Sequence, residues 1–221
     1  MNDDNGPTHP ATGRMNRIWI PVVVTAGVLA LDQSSKIWVK SNMMLGEHFN
    51  VLGQWFQIYF IENNGMAFGM ELGGDWGKLA LTLFRLLAVG GILYMLRGML
   101  KSPETRVGAL TALSLVLAGA LGNIIDSVFY GAAFGYERWF HGRVVDMLYF
   151  PIWQGFIPQW LPIWGGDYFI FFRPVFNVAD TSITTGVAML LVFQRRYFPR
   201  ETQPKEVAAN TDTPHSNDAG V

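Results

Sequence analysis

The sequence predicts a helical membrane protein, all-α in its membrane body, with four transmembrane helices and a small amount of strand outside the bilayer. Three observations lead there. The 221 residues are 50% hydrophobic and only 15% charged. Four apolar stretches, at about 18–39, 79–100, 107–126 and 175–194, approach the roughly 20 residues that a spanning helix needs. The basic residues also collect in three places: Arg14 and Arg17 before the first stretch; Arg97, Lys101 and Arg106 between the second and third; and Arg195, Arg196, Arg200 and Lys205 after the fourth. Alternation across four spans puts all three on one side, which the positive-inside tendency makes the cytoplasmic side.

Polar runs rich in Pro, Gly and Asp read as disordered tails, at about 1–16 and 198–221, leaving a membrane domain at 17–197. The first apolar stretch follows Arg14 and Arg17 as a signal peptide would. It is too long for one, and Asp32 and Lys36 stand where small residues would mark a cleavage site, so it reads as a retained anchor. The outer loop at about 40–78 opens with Phe49–Phe60, rich in Val, Ile, Tyr, Phe and Trp and interrupted by Asn50, Gly53 and Gln54, a pattern of short strands or a hairpin. Glu62-Asn63-Asn64-Gly65 then reads as a turn. The second outer loop, at about 127–174, contains an aromatic run at 149–172. It is broken by Pro151, Pro158 and Pro162, which exclude a spanning helix. Its Trp and Tyr residues suit a loop lying at the outer interface.

Charge and residue inventory narrow the chemistry. The formal net charge of −1 gives no basis for nucleic-acid binding, and the absence of cysteine excludes disulfides and thiol catalysis. His9 and His215 lie in the tails, and His48 and His141 are isolated, so no metal site is expected. The acids are more informative, because an ionisable group at membrane depth is costly and usually serves a purpose. By the topology above, Asp32 and Lys36 close span one, Asn123 and Asp126 close span three, and Asn177 and Asp180 open span four, all at the outer face. Asp146 sits in the loop between the last two.

Asp32 and Lys36 are four apart on one helix face and can pair. A Ser–Lys hydrolase dyad on Lys36 needs a serine from elsewhere, since Ser34 and Ser35 face away. Asp146 and Asp180 each stand among apolar neighbours. Burial and a nearby carboxylate both raise a carboxyl pKa, so two such acids can share a proton, one acting as base on a water while the other donates to a carbonyl. Residue pattern alone leaves this pair open against separate structural acids. Arg85, inside span two, reads as one half of an internal ion pair or as a cation snorkelling outward.

Taken in order, these runs resemble the bacterial lipoprotein signal peptidases (signal peptidase II). Asp32-Gln33-x-Ser35-Lys36, Asn63-x-Gly65-x-Ala67-Phe68, Gly122-Asn123-x-x-Asp126, Val144-Val145-Asp146 and Phe176-Asn177-x-Ala179-Asp180 are similar to the five motifs of that family, and the resemblance covers about 17–197. It implies four transmembrane helices under a small β-cradle. It also implies an aspartic endopeptidase of the bacterial inner membrane, working without metal or cofactor. The implied substrate is a prolipoprotein already carrying diacylglycerol, cut before the lipidated cysteine with its site at the periplasmic face. The resemblance maps the catalytic pair onto Asp146 and Asp180, and substrate-binding and supporting roles onto Asp32, Lys36, Asn63, Asn123, Asp126 and Asn177. Membrane lipids and the inhibitor globomycin are the other expected partners, and a monomer is the expected unit.

Two departures stand out. The family usually has Arg after the third-motif aspartate, where this chain has Ser127, and Arg138 or Arg143 is a candidate substitute. The separation of Asp146 and Asp180 also exceeds the family's usual length, through the aromatic stretch. Rival readings are an ion-coupled transporter, a non-catalytic assembly subunit and a Ser–Lys peptidase.

Overall fold

The computed structural model describes residues 12–64 and 74–197. Gly65, Ala67 and Phe68 of the second motif and most of both tails lie outside the described residues. Three long helices form the body: α1 (Thr12–Asn42), α2 (Gly74–Lys101) and α3 (Val107–Ile125), the last continuing through a π-helical turn (Asp126–Tyr130) into a short α4 (Gly131–Ala133). Within them, Arg17–Asn42, Trp76–Lys101 and Val107–Ala133 are long and apolar enough to cross a membrane. The fourth apolar helix, α5 (Val178–Val192), has 15 residues and so extends about 22 Å at 1.5 Å per residue. It is shorter than the stretch expected at 175–194, because Val175–Phe176 pair as a strand and Asn177 caps the helix behind them. A short α6 (Gln194–Tyr197) follows.

Helix α3 is central and packs against α5, α1 and α2. It is largely buried, whereas α1 and α2 turn most of their surface outward and display large apolar residues such as Val23, Leu31, Phe84 and Leu87. An exposed apolar surface of this extent suits contact with lipid chains. The α3–α5 contact depends on small residues, which let backbones approach closely. A Cβ on Gly119 would lie 2.2 Å from the Ala179 carbonyl oxygen and 2.6 Å from Ile183. Leu110, Leu113, Leu117 and Ile124 of α3 pack with Val89 and Leu96 of α2 in the main apolar core.

Above the helices lies a four-stranded antiparallel sheet of order β1-β2-β3-β6, formed by β1 (His48–Leu52), β2 (Phe56–Asn63), β3 (Val144–Tyr149) and β6 (Val175–Phe176). The expected hairpin at 49–60 is therefore present as β1–β2. Val39, Phe60, Tyr130, Val145 and Met147 form a second core between this sheet, the end of α1 and the π-helical turn. The aromatic stretch is more ordered than the expected loop. Its β4 (Trp153–Phe156) and β5 (Tyr168–Phe171) pair antiparallel as a separate hairpin, the prolines falling outside both strands, where no ladder hydrogen bond is lost.

The close α3–α5 approach generates the first prediction. Gly119→Val forces the two helices apart and should cost about 1–3 kcal/mol of stability, as overpacking of this kind does, read as a lowered unfolding midpoint in detergent. A midpoint equal to that of the parent protein would show that the helices are not in tight contact there.

Candidate active site

Lys36 is the centre of the polar interior. Its Nζ lies 2.9 Å from Asp32 Oδ2 and 2.9 Å from Asp126 Oδ2, and donates to Asn123 Oδ1 at 3.1 Å. Lys36, Asp32 and Asp126 are all 0% exposed, so the ammonium's three donors are matched by three acceptors in a dry setting. The i,i+4 pairing of Asp32 with Lys36 is thus present, and α3 adds a second carboxylate. Gln33, absent from the residues expected at the site, ties the two acids together. Its Nε2 donates to Asp32 Oδ2 (3.0 Å), Asp126 Oδ1 (3.1 Å) and the Gly122 carbonyl (3.2 Å), while Tyr130 donates its hydroxyl to Gln33 Oε1 (3.1 Å). Gly122 makes room for this arrangement, since a Cβ there would lie 2.6 Å from Asp32 Oδ2.

Each carboxylate also holds one further element. Asp32 Oδ1 accepts from the Ala179 backbone N–H at 2.9 Å, one of the unpaired donors in the first turn of α5 and at the end of the helix where negative charge is favoured. Asp126 Oδ2 accepts from the Val145 N–H at 3.2 Å, on the strand residue next to Asp146. The buried cluster therefore fixes both α5, which carries Asp180, and β3, which carries Asp146.

Two asparagines connect the cluster to those acids. Asn177 Nδ2 donates to Asp146 Oδ1 at 2.7 Å and also reaches Asn123 Oδ1 at 3.2 Å and the Val145 carbonyl at 3.3 Å. Asn123 Nδ2 donates to Asp180 Oδ1 at 2.8 Å. Asn177 further caps α5 by accepting from the Asp180 N–H at 2.8 Å, while Asp180 Oδ2 accepts from the Asn177 N–H at 3.4 Å. This reciprocal capping box sets the Asp180 carboxylate beside Asn177. From β2, Asn63 donates to Asp146 Oδ2, its strand being paired to β3 with Ile61 opposite Asp146. All eight residues singled out in the sequence thus lie in one connected network.

Asp146 is 2% exposed and Asp180 is half-buried. Burial first, and the neighbouring Asp180 charge second, push the Asp146 carboxyl up to about 7 against the opposing hydrogen bonds from Asn177 and Asn63. This acid therefore gains and loses its proton around neutral pH.

The remaining polar groups have other engagements. Ser34 and Ser35 donate to the Leu31 and Asp32 carbonyls of their own helix at 3.2 and 2.8 Å, so neither makes the Ser–Lys pair. Glu62 accepts from Lys40 and lies 3.5 Å from Arg143, whose guanidinium carbon stands 5.6 Å from the Tyr136 ring. Arg143, one expected substitute beside Ser127, is thus engaged with Glu62. Arg85 instead donates Nη1 to Ser127 Oγ at 2.9 Å. Sequence reasoning missed this pairing because it joins two helices and has no local spacing to reveal it.

The chain is similar to known proteins over most of its length. A family model for signal peptidase (SPase) II matches residues 24–195. The lipoprotein signal peptidase of Porphyromonas gingivalis is 51% identical over 180 residues, covering 75% of this chain and 78% of that protein. The lipoprotein signal peptidase of Amoebophilus asiaticus is 36% identical over 205 residues, covering 89% and 86%. A solved bacterial membrane enzyme superposes with a TM-score of 0.57 at 27% identity, covering 85% of this chain and 96% of that one.

The buried cluster generates a stability prediction. Lys36→Met leaves two interior carboxylates without their cation, a change that costs about 3–5 kcal/mol when one partner of a buried pair is removed. Thermal unfolding in detergent should show a strongly lowered midpoint. An unchanged midpoint would mean that the cluster does not hold α1, α3 and α5 together.

Proposed function

The chain belongs to the signal peptidase II family, and we propose that it is an aspartic endopeptidase that cuts diacylglyceryl-modified prolipoproteins before the lipidated cysteine, with Asp146 and Asp180 as its catalytic pair. The observation that carries this reading is the short amide bridge between the two acids: Asn177 bonds Asp146 at 2.7 Å and Asn123 bonds Asp180 at 2.8 Å, while the two asparagines bond each other at 3.2 Å. The bridge gathers both carboxyls at the junction of the sheet and the helical body.

In the proposed reaction Asp180, the more exposed of the two, accepts a proton from a water molecule whose oxygen attacks the scissile carbonyl carbon. Asp146 donates its proton to the carbonyl oxygen as the tetrahedral intermediate forms. Collapse breaks the C–N bond, the amine of the lipidated cysteine takes up the proton held by Asp180, and the hydroxyl of the intermediate returns a proton to Asp146. One water is consumed and the pair ends as it began. Asn63 and Asn177 orient the Asp146 carboxyl by bonding its two oxygens. The substrate's acyl chains remain among lipids, so binding energy remote from the reacting bond serves to position it.

This reading includes α5 as a fourth span, both termini in the cytoplasm and a site at the periplasmic face of the inner membrane. The cluster of Lys36, Asp32, Asp126 and Asn123 is assigned a supporting role beneath the pair. Globomycin is the expected inhibitor, membrane lipids are partners, and the monomer is the working unit. No metal or cofactor takes part.

Two predictions follow from the pair. Asp146→Asn and Asp180→Asn should each reduce cleavage of a diacylglyceryl prolipoprotein by several orders of magnitude while the unfolding midpoint stays close to the parent's. Near-parental cleavage by either folded variant would sink the assignment. The elevated Asp146 pKa means that the proton is present below about pH 7 and lost above it. The kcat/KM profile, which reports groups of the free enzyme, should therefore fall on the alkaline side with a midpoint near 7. A profile flat through that range would contradict a proton on Asp146.

A further inference from the structure

We infer that Arg85 is the substrate-positioning cation of this active site, a guanidinium carried on α2 and seated against Ser127 on α3, whose bonding partner in the bound complex is the substrate backbone beside the scissile bond. The inference rests on the aspartic-peptidase reading above and extends it to a residue that none of the five motifs contains.

Three observations carry it. The first is placement. Arg85 lies within the apolar span Trp76–Lys101, where a charge is costly and tends to face a protein interior or a polar cavity. Its guanidinium is directed towards α3, Nη1 donating to Ser127 Oγ at 2.9 Å. The second is the anchor itself. Ser127 is buried, belongs to the π-helical turn that starts at Asp126, and donates its own hydroxyl to the Asn123 carbonyl at 2.9 Å. Ser127 thus holds Arg85 by the same residue, Asn123, that bonds Asp180. The third is electrostatic. Asp180, Asp126 and Asp146 all lie near enough to attract the guanidinium.

The chemistry of the substrate calls for such a group. A signal peptide drawn out in extended form at membrane depth presents backbone carbonyls that lipid cannot satisfy. A guanidinium has five N–H donors in a fixed planar fork and keeps its charge at every working pH. Placed beside the acid pair, it can hold a carbonyl next to the bond to be cut without competing for the catalytic proton. The serine at position 127 instead receives an arginine from the neighbouring helix. An arginine on α2 and a serine on α3 therefore deliver a cation to the place that an arginine at 127 would occupy.

The test is kinetic, on the full chain in detergent or bilayer with a diacylglyceryl prolipoprotein. Arg85→Ala should lower kcat/KM by about 10- to 100-fold, the range for losing a hydrogen bond from a charged group, chiefly through KM, with the pH profile keeping its alkaline midpoint. Arg85→Lys should recover only part of the loss, because a point charge lacks the planar fork. The double variant Arg85→Ala/Ser127→Arg should recover most of it by carrying the guanidinium on α3. Parental kinetics for Arg85→Ala, or a folded double variant no better than Arg85→Ala, would overturn the inference. If Arg85→Ala does not fold, the decision passes to Arg85→Lys and the double variant: kinetics for Arg85→Lys equal to the parent's, or a folded double variant slower than Arg85→Lys, overturns the proposal. Asp146→Asn is run alongside: if it cleaves normally the aspartic reading fails, whereas an inactive Asp146→Asn with parental Arg85→Ala kinetics removes only this inference.

Discussion

An ammonium group with no access to water, held between two carboxylates, is the constraint on which the rest of this molecule depends. Lys36 meets Asp32 and Asp126 at 2.9 Å each, and none of the three could be buried alone at tolerable cost. Satisfying them requires α1 and α3 to meet at one depth, and Gly122 permits that approach. Asp32 turns its other oxygen to the Ala179 backbone N–H, and Asp126 accepts the Val145 N–H on the same oxygen that faces Lys36. In this way a charge pair within the helical body sets the position of a helix start and of a strand outside it.

The arrangement separates holding from reacting. Asp32 and Asp126 are saturated with hydrogen bonds and matched by a cation, which suits a fixed framework. Asp146 and Asp180 receive amide donors from Asn63, Asn123 and Asn177, and amides orient a carboxyl without neutralising it. Asn123 belongs to both parts, accepting from Lys36 on one side and donating to Asp180 on the other. A displaced Lys36 would therefore be felt at the proposed catalytic pair through a single intervening side chain.

Much of this was legible in the sequence where the physics is local. The spacing of Asp32 and Lys36 on one helix face announced their pairing, and Asn177 with Asp180 three residues on carries the signature of a helix start. The β-branched and aromatic residues of Phe49–Phe60 indicated strands. What could not be read depended on contacts between distant segments. Nothing near Asp126 in sequence marks Val145 as its partner, and Gln33, though part of the first motif, was given no role because a glutamine in an apolar helix has no spacing signal of its own. The 149–172 run was read as an irregular loop from its prolines, yet the residues between them pair Trp153 with Phe171 and Phe156 with Tyr168. Arg85 was left between an internal ion pair and a snorkelling cation for the same reason, its serine anchor lying on another helix.

The central claim is that Asp146 and Asp180 act as one proton-sharing unit. It is tested most directly by a carboxyl carbon NMR titration of aspartate-labelled protein in a bilayer, with resonances assigned through Asp146→Asn and Asp180→Asn. The account predicts that Asp146 titrates near pH 7 and that its midpoint falls when Asp180 is replaced. An Asp146 resonance that titrates in the ordinary carboxylate range, unchanged by the loss of Asp180, would contradict it.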